Sequence, residues 1–193
     1  MQQFVGVGSV SAQVGNIIGK FSPVLGIYLP LIVNAAQLVG NSTAVYLLSK
    51  LGRRTIALLG NGIVGAINLI IGLLFLFINT NTSAIIIAVT VFLIIYMLIF
   101  GLTLGPITWL YVPEVIPADI VPFATVNNWV AATIVYTMTP IVVGEFNDNP
   151  DVLFFIFTAI TTLFFIMNLF LMEETRGLTR EQIARKYGGE VEG

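Results

Sequence analysis

The side chains that could contact a ligand lie in long uncharged stretches, and most of them are neutral amides. Gln2 and Gln3 open the first stretch, and Asn127 and Asn128 lie near the start of the fifth. An amide carries donors and acceptors that hydrocarbon cannot satisfy. Adjacent amides on a helix point about 100° apart, so at least one asparagine should face a polar interior. These residues predict helices that line a polar cavity; helix-to-helix hydrogen bonds and close packing are the alternative.

Other kinds of chemistry have few residues to carry them. The chain contains no histidine and no cysteine, so the usual neutral-pH base, the commonest metal ligand and the thiolate are all missing. No cluster of ionisable residues lies within the uncharged stretches. Ten acidic and eight basic residues give a net charge of −2, which is too balanced for nucleic-acid binding. We therefore predict no enzymatic activity, no cofactor, no metal and no nucleic-acid partner.

The uncharged stretches indicate a membrane protein. The 193 residues are 57% hydrophobic and 9% charged, with a mean hydropathy of +0.97, which lies outside the soluble range. A bilayer core about 30 Å thick needs roughly 20 apolar residues per helix. Six stretches lack Lys, Arg, Asp and Glu: Gln2 to Gly19, Val24 to Leu48, Thr55 to Ile78, Ser83 to Val112, Phe123 to Gly144 and Val152 to Met172. We predict an all-α membrane protein, with a six-helix transmembrane bundle over residues 1–172 and a tail over residues 173–193.

The basic residues predict the orientation. All but one of them lie in the loop 49–54 or in the tail, and these are Lys50, Arg53, Arg54, Arg176, Arg180, Arg185 and Lys186. Four predicted spans separate the two clusters, so both lie on one side of the membrane. A bias of this kind marks the cytoplasmic side. We expect the loop and the tail to be cytoplasmic, in a plasma or organellar membrane.

The tail contains a helix-start signal. Thr179 followed by Gln182 fits a capping box, with an apolar edge after it. Gly188 and Gly189 would end this helix. We predict a short amphipathic helix on the cytoplasmic face; beyond Tyr187, a solvated tail is the alternative.

A helix break is predicted in the fourth stretch. Gly105-Pro106 lies near its end, and a proline inside a membrane helix removes a backbone hydrogen bond and kinks or breaks the helix. Broken helices tend to line substrate cavities. We expect Gly105 and Pro106 to mark a helix break that takes part in gating, with a simple packing kink as the alternative. Trp109 follows one turn later, as a cavity wall or as an interfacial belt residue.

Charged residues at the ends of several spans fall on the same predicted side. They are Arg53, Arg54, Glu114, Glu173 and Glu174. Arginine binds carboxylates bidentately, so these groups could close the cytoplasmic mouth and separate when helices move apart. Ordinary solvated charges flanking the spans are the alternative.

Six motifs occur in a recognisable order over nearly the whole chain. They are Gln2-Gln3 followed by Gly6, Gly52-Arg53-Arg54, Gly105-Pro106 with Trp109, Glu114 with Pro117, Asn128-Trp129, and Glu174-Thr175-Arg176-Gly177. Together they resemble the sugar porter family of the major facilitator superfamily. The resemblance is to its C-terminal half, which comprises helices seven to twelve.

The resemblance implies transport of a hexose or related polyol by alternating access. It implies substrate contacts at Gln2, Gln3, Trp109 and Asn128, with Gln37 standing where an asparagine of the eighth helix is expected. It also assigns a cytoplasmic salt-bridge latch to Arg53, Arg54, Glu114 and Glu174. Amides and an indole suit this substrate, because hydroxyls need donors and acceptors and the sugar ring needs an apolar platform.

Six helices supply only one wall of such a cavity. Besides the substrate and membrane lipid, the resemblance implies one further partner, which is an N-terminal six-helix half. It also puts the Met1 ammonium group inside hydrocarbon, at a cost of at least about 2.5 kcal/mol. We expect a fragment, an incomplete gene product, or a subunit whose missing wall comes from another chain. Gly8 and Val121 depart from the family pattern and leave an alternative, a non-transporting accessory subunit or sugar-sensing receptor.

Overall fold

The computed structural model describes residues 2–77, 82–146 and 150–187, and these residues form a helical bundle. They contain eight helices and no strand. The helices are α1 Val7–Gly19, α2 Pro23–Lys50, α3 Arg53–Leu76, α4 Thr82–Leu102, α5 Leu104–Val115, α6 Val121–Glu145, α7 Asp151–Leu171 and α8 Arg180–Lys186. The prediction of an all-α protein is confirmed for this part of the chain.

Five spans of the bundle are long and apolar enough to cross a membrane. Helices α2, α3, α6 and α7 are four of them, and α4 with α5 forms the fifth, Thr82–Val115. Each coincides with one of the predicted stretches. The prediction of a membrane protein is therefore confirmed by the length and composition of these helices.

The first stretch forms a shorter helix than predicted. Helix α1 begins only at Val7 and has 13 residues, about 20 Å at 1.5 Å per residue. Residues before it form a turn in which Gly6 has φ +97°, a backbone conformation that favours glycine. A Cβ on Gly6 would also lie 2.4 Å from the Phe157 ring of α7. The turn and the ring packed on it set the start of α1, so the first stretch does not give a sixth full-length span.

The fourth stretch is interrupted between α4 and α5. The interruption lies at Thr103, which has φ −125° and ψ −83°. The Thr103 amide donates to the carbonyls of Ile99 and Phe100, at 3.0 and 3.2 Å. Pro106 has no N–H, so it cannot donate a hydrogen bond to the Leu102 carbonyl, four residues before it. This missing bond accounts for the break at Thr103. The break is in the predicted region, and its role in gating stays a prediction.

Small residues let neighbouring helices approach closely. A Cβ on Gly40 of α2 would lie 2.4 Å from the Leu98 carbonyl oxygen of α4. A Cβ on Gly101 of α4 would lie 2.5 Å from the Gln37 carbonyl oxygen of α2. Apolar side chains of α1, α2, α3 and α4 form the main core around the fully buried Tyr96, Phe75 and Phe100. This packing fixes the frame on which α5, α6 and α7 carry the site.

The tail folds back on the bundle. The Thr179 amide donates to Gln182 Oε1 at 2.9 Å, and the Gln182 amide donates to Thr179 Oγ1 at 3.3 Å, so α8 starts with a capping box. At its other end the hydroxyl of Tyr187 is hydrogen-bonded to that of Tyr111 on α5. Gly188 and Gly189, the expected end of this helix, lie outside the described residues.

Candidate functional site

A cavity of about 800 Å³ lies between α5, α6 and α7, with the turn before α1 forming part of its wall. Its wall is mostly apolar. The polar lining residues are Gln2, Thr108, Tyr111, Asn127, Asn128, Asn168 and Tyr187. The described residues that line it include no charged side chain. The cavity therefore offers neutral hydrogen-bonding groups in apolar surroundings.

Gln2 connects the turn before α1 to the broken helix. Its Nε2 donates to the carbonyl oxygen of Gly105 at 3.0 Å, and the side chain is buried. Its Oε1 is also buried and has no hydrogen-bond partner. A buried acceptor without a donor costs free energy until a ligand or water supplies one.

The two asparagines of α6 both line the cavity but differ in their bonding. Asn127 donates from Nδ2 to the Phe123 carbonyl of its own helix at 2.8 Å. The Nδ2 of Asn128 is buried without a partner. Gln2 and Asn128 therefore both line the cavity, and each has one buried polar side-chain atom without a hydrogen-bond partner, an acceptor on Gln2 and a donor on Asn128.

The remaining predicted contact residues lie elsewhere. Gln3 and Gln37 are half-buried and line none of the four described cavities. Trp109 is 45% exposed and borders a second cavity of about 340 Å³, together with Arg53 and Glu114. The structure brings Gln2 and Asn128 together on one cavity and leaves Gln3, Gln37 and Trp109 outside it.

Four polar lining residues were not identified as candidates from the sequence, and they are Thr108, Tyr111, Asn168 and Tyr187. Thr108 and Tyr111 are three residues apart on α5, a spacing that puts both on one helix face. Asn168 is the one amide in the last uncharged stretch. An amide in an apolar span is a signal for an interior position, and that signal could have identified Asn168.

Arg53 and Glu114, which border the second cavity, form a bidentate ion pair. Arg53 Nη2 lies 2.9 Å from Glu114 Oε1, and Nε lies 3.3 Å from both carboxylate oxygens. Thr175 donates to the second oxygen at 2.6 Å. The pair joins the first residue of α3 to the end of α5 and to the tail.

Glu174 binds the backbone at the start of α3. Its Oε1 accepts from the Arg53 amide at 2.7 Å, and its Oε2 accepts from the Arg54 amide at 3.2 Å. The Arg54 guanidinium instead donates to the Leu169 carbonyl at 2.6 Å. The first amides of a helix have no intrahelical acceptor and carry partial positive charge, so a carboxylate stabilises them.

The tail also binds the loop between α2 and α3. Arg176 donates to the carbonyl oxygens of Lys50 and Ser49. The Arg176 amide donates to Glu174 Oε1 at 3.0 Å. The tail therefore joins α7 to the α2–α3 loop through side-chain and backbone bonds.

The sequence model of one family, described as "Sugar (and other) transporter", matches residues 1–187. The chain belongs to this sugar transporter family. Hexose transporter 1 of Plasmodium vivax (strain Brazil I) is 29% identical over 190 residues, which are 92% of this chain and 36% of that protein. Facilitated trehalose transporter Tret1 of Drosophila mojavensis is 36% identical over 107 residues, 51% of this chain and 12% of that protein.

A bacterial protein also matches this chain. The arabinose-proton symporter of Bacillus subtilis (strain 168) is 26% identical over 158 residues, 80% of this chain and 33% of that protein. The chain spans about a third of the length of the Plasmodium relatives it matches. The family description and the names of these relatives all refer to transporters.

Proposed function

We propose that this chain forms helices seven to twelve of a sugar transporter and moves a hexose or related polyol by alternating access. Gln2 and Asn128 carry the proposal, because both line one neutral cavity and each has a buried polar atom without a partner. A sugar hydroxyl both donates and accepts, so it can satisfy each group. The names of the Plasmodium relatives support a hexose as the substrate.

The chemistry of the cavity fits a neutral ligand. Its volume of about 800 Å³ lies within the range of roughly 300–1,000 Å³ common for small-molecule sites. An apolar wall with a few convergent polar groups is also typical of such sites. No covalent step is required, because binding and release on opposite sides of the membrane complete the transport cycle.

The other half of the transporter completes the site in this proposal. The chain covers about a third of the Plasmodium relatives, and six-helix halves in this superfamily enclose the substrate between them. Trp109 is 45% exposed, and Gln3 and Gln37 are half-buried. We assign these three residues to the face that meets the other half.

The Arg53–Glu114 pair and the Glu174 carboxylate are the proposed cytoplasmic latch. The pair is partly buried, with side chains 17% and 24% exposed. Alternating access requires the cytoplasmic ends of helices to separate, and this movement would break the bonds between α3, α5 and the tail. Gly105 and Pro106 would let α5 move relative to α4 during that step.

Saturable uptake of labelled glucose or fructose tests the proposal. We would reconstitute the transporter that contains this chain and compare Gln2→Leu and Asn128→Leu with the unaltered protein. Loss of one hydrogen bond costs about 0.5–1.5 kcal/mol, so each change should weaken sugar binding about two- to tenfold. Thr133→Val is the matched control, because Thr133 is exposed on α6 and bonds only its own helix.

Two results would contradict the proposal. Absence of saturable flux would exclude sugar transport, and saturable binding without flux would support a sugar-sensing receptor instead. Flux that is unchanged by both leucine substitutions would remove Gln2 and Asn128 from the site.

A further inference from the structure

The carbonyl of Val5 is held by two buried side chains from different helices. The hydroxyl of Tyr96 on α4 donates to it at 2.8 Å, and Nδ2 of Asn68 on α3 donates to it at 3.2 Å. Val5, Asn68 and Tyr96 are all fully buried. Two donors therefore converge on one backbone oxygen inside the bundle.

This oxygen lies just before the start of α1. The Val10 amide donates to the Gly6 carbonyl at 2.9 Å at the start of α1, so the Val5 carbonyl precedes the helical ladder. A buried carbonyl outside a helix or sheet needs other donors. Asn68 and Tyr96 supply these donors, which fixes the turn at this point.

The same turn carries Gln2 to the cavity. The Gly6 amide donates to the Gln3 carbonyl at 3.2 Å, which closes the turn over residues 3–6. The Phe157 ring packs against Gly6. The Gln2 side chain, which lines the cavity, bonds the Gly105 carbonyl, and its Oε1 is buried and unpaired. Movement of the Val5 carbonyl would therefore displace Gln2.

We propose that Tyr96 and Asn68 are positioning residues for sugar binding, which hold the Val5 turn and thereby place the Gln2 amide at the cavity. The proposal rests on the proposed function, because it takes the cavity as the sugar site. Neither side chain lines the cavity, so they act on the ligand only through the turn.

Tyr96→Phe is the direct test, because it removes the hydroxyl and keeps the ring. Asn68→Leu removes the second donor with little change in volume. In reconstituted transporter, each variant should raise the KM for labelled sugar about two- to tenfold and leave the maximal rate per folded transporter unchanged. A merely structural role would lower the number of active transporters and leave KM unaltered. Tyr28→Phe is the control, because Tyr28 is exposed on α2 and makes no bond to the described residues of the turn.

A second readout does not depend on transport. This chain has no cysteine, so Gln3→Cys, with any cysteines outside this chain replaced, reports on the turn. Tyr96→Phe should increase the rate at which a methanethiosulfonate reagent modifies this cysteine at least about threefold, because the turn loses a donor. Tyr28→Phe should leave the rate unchanged.

The outcomes separate the two proposals. If the unaltered protein shows no saturable sugar flux, the proposed function fails, and the labelling rates still show whether Tyr96 holds the turn. If flux is present and KM is unchanged in both Tyr96→Phe and Asn68→Leu, the positioning role is refuted. A fall in maximal rate at constant KM refutes it as well.

Discussion

If the proposed latch exists, the Arg53–Glu114 ion pair should control how often the proposed cytoplasmic end of the bundle opens. Glu114→Gln keeps the shape of the side chain and the acceptor for Thr175, and it removes the charge that Arg53 faces at 2.9 Å. Exposed pairs contribute about 0–1 kcal/mol, and breaking a fully buried pair costs about 3–5 kcal/mol. The side chains are 17% and 24% exposed, which places this pair between these limits, at about 1.5–2 kcal/mol. Glu114→Gln should therefore increase the open fraction roughly 10- to 30-fold.

Cysteine labelling can measure this shift. Thr108→Cys places a thiol in the large cavity, about two turns before Glu114 on α5. Inside-out vesicles expose the cytoplasmic side to a membrane-impermeant reagent. The labelling rate should rise with the open fraction, by about tenfold or more in Glu114→Gln and in Arg53→Met.

A double-mutant cycle tests whether the two residues act as a pair. Arg53→Met with Glu114→Gln should label little faster than either single variant, because one interaction has been removed in all three. Glu173→Gln is the control, since its contact with Lys186 is 3.7 Å long and both side chains are over 40% exposed. The latch would be refuted if both single variants label within twofold of the rate of the unaltered protein. Fully additive effects on the labelling rate in the double variant would also refute it.

Two further predictions concern packing and the tail. Gly40→Val should destabilise the protein by about 1–3 kcal/mol in thermal unfolding, because its Cβ would lie 2.4 Å from the Leu98 carbonyl oxygen. Gly144→Val is the control, because nothing lies within 4 Å of a Cβ at that position. Equal melting temperatures for the two variants would contradict the close packing of α2 and α4. Thr179→Ala should weaken α8 by about 1 kcal/mol through loss of its cap, seen as faster amide hydrogen exchange in Arg180–Lys186. Unchanged exchange there would mean that contacts with the bundle, and not the cap, hold α8.

Much of the fold was predictable because hydropathy and charge act over the length of a span. Five of the predicted stretches became long helices on that basis. The first did not, because the conformation of Gly6 depends on the Phe157 ring and on donors from α3 and α4. These partners lie far along the chain, and no local pattern reveals them.

The site was predictable in part for a related reason. Adjacent asparagines point about 100° apart, so at least one was expected to face the interior, and both line the cavity. Tyr111 and Thr108 were missed, because residue type alone does not give the direction in which a helix face points. Glu174 was expected to pair with an arginine side chain. Its carboxylate instead accepts hydrogen bonds from the backbone amides of Arg53 and Arg54, which have no acceptor within α3.

The capping of α3 by Glu174 affects where this protein can be shortened. Hydropathy suggests trimming after residue 172, the end of the last apolar stretch. A truncation there would remove the carboxylate from two helix amides, the Thr175 hydroxyl from Glu114, and the guanidinium from the α2–α3 loop. Expression designs should therefore retain the chain through Tyr187, because the polar tail forms part of the bundle's own structure.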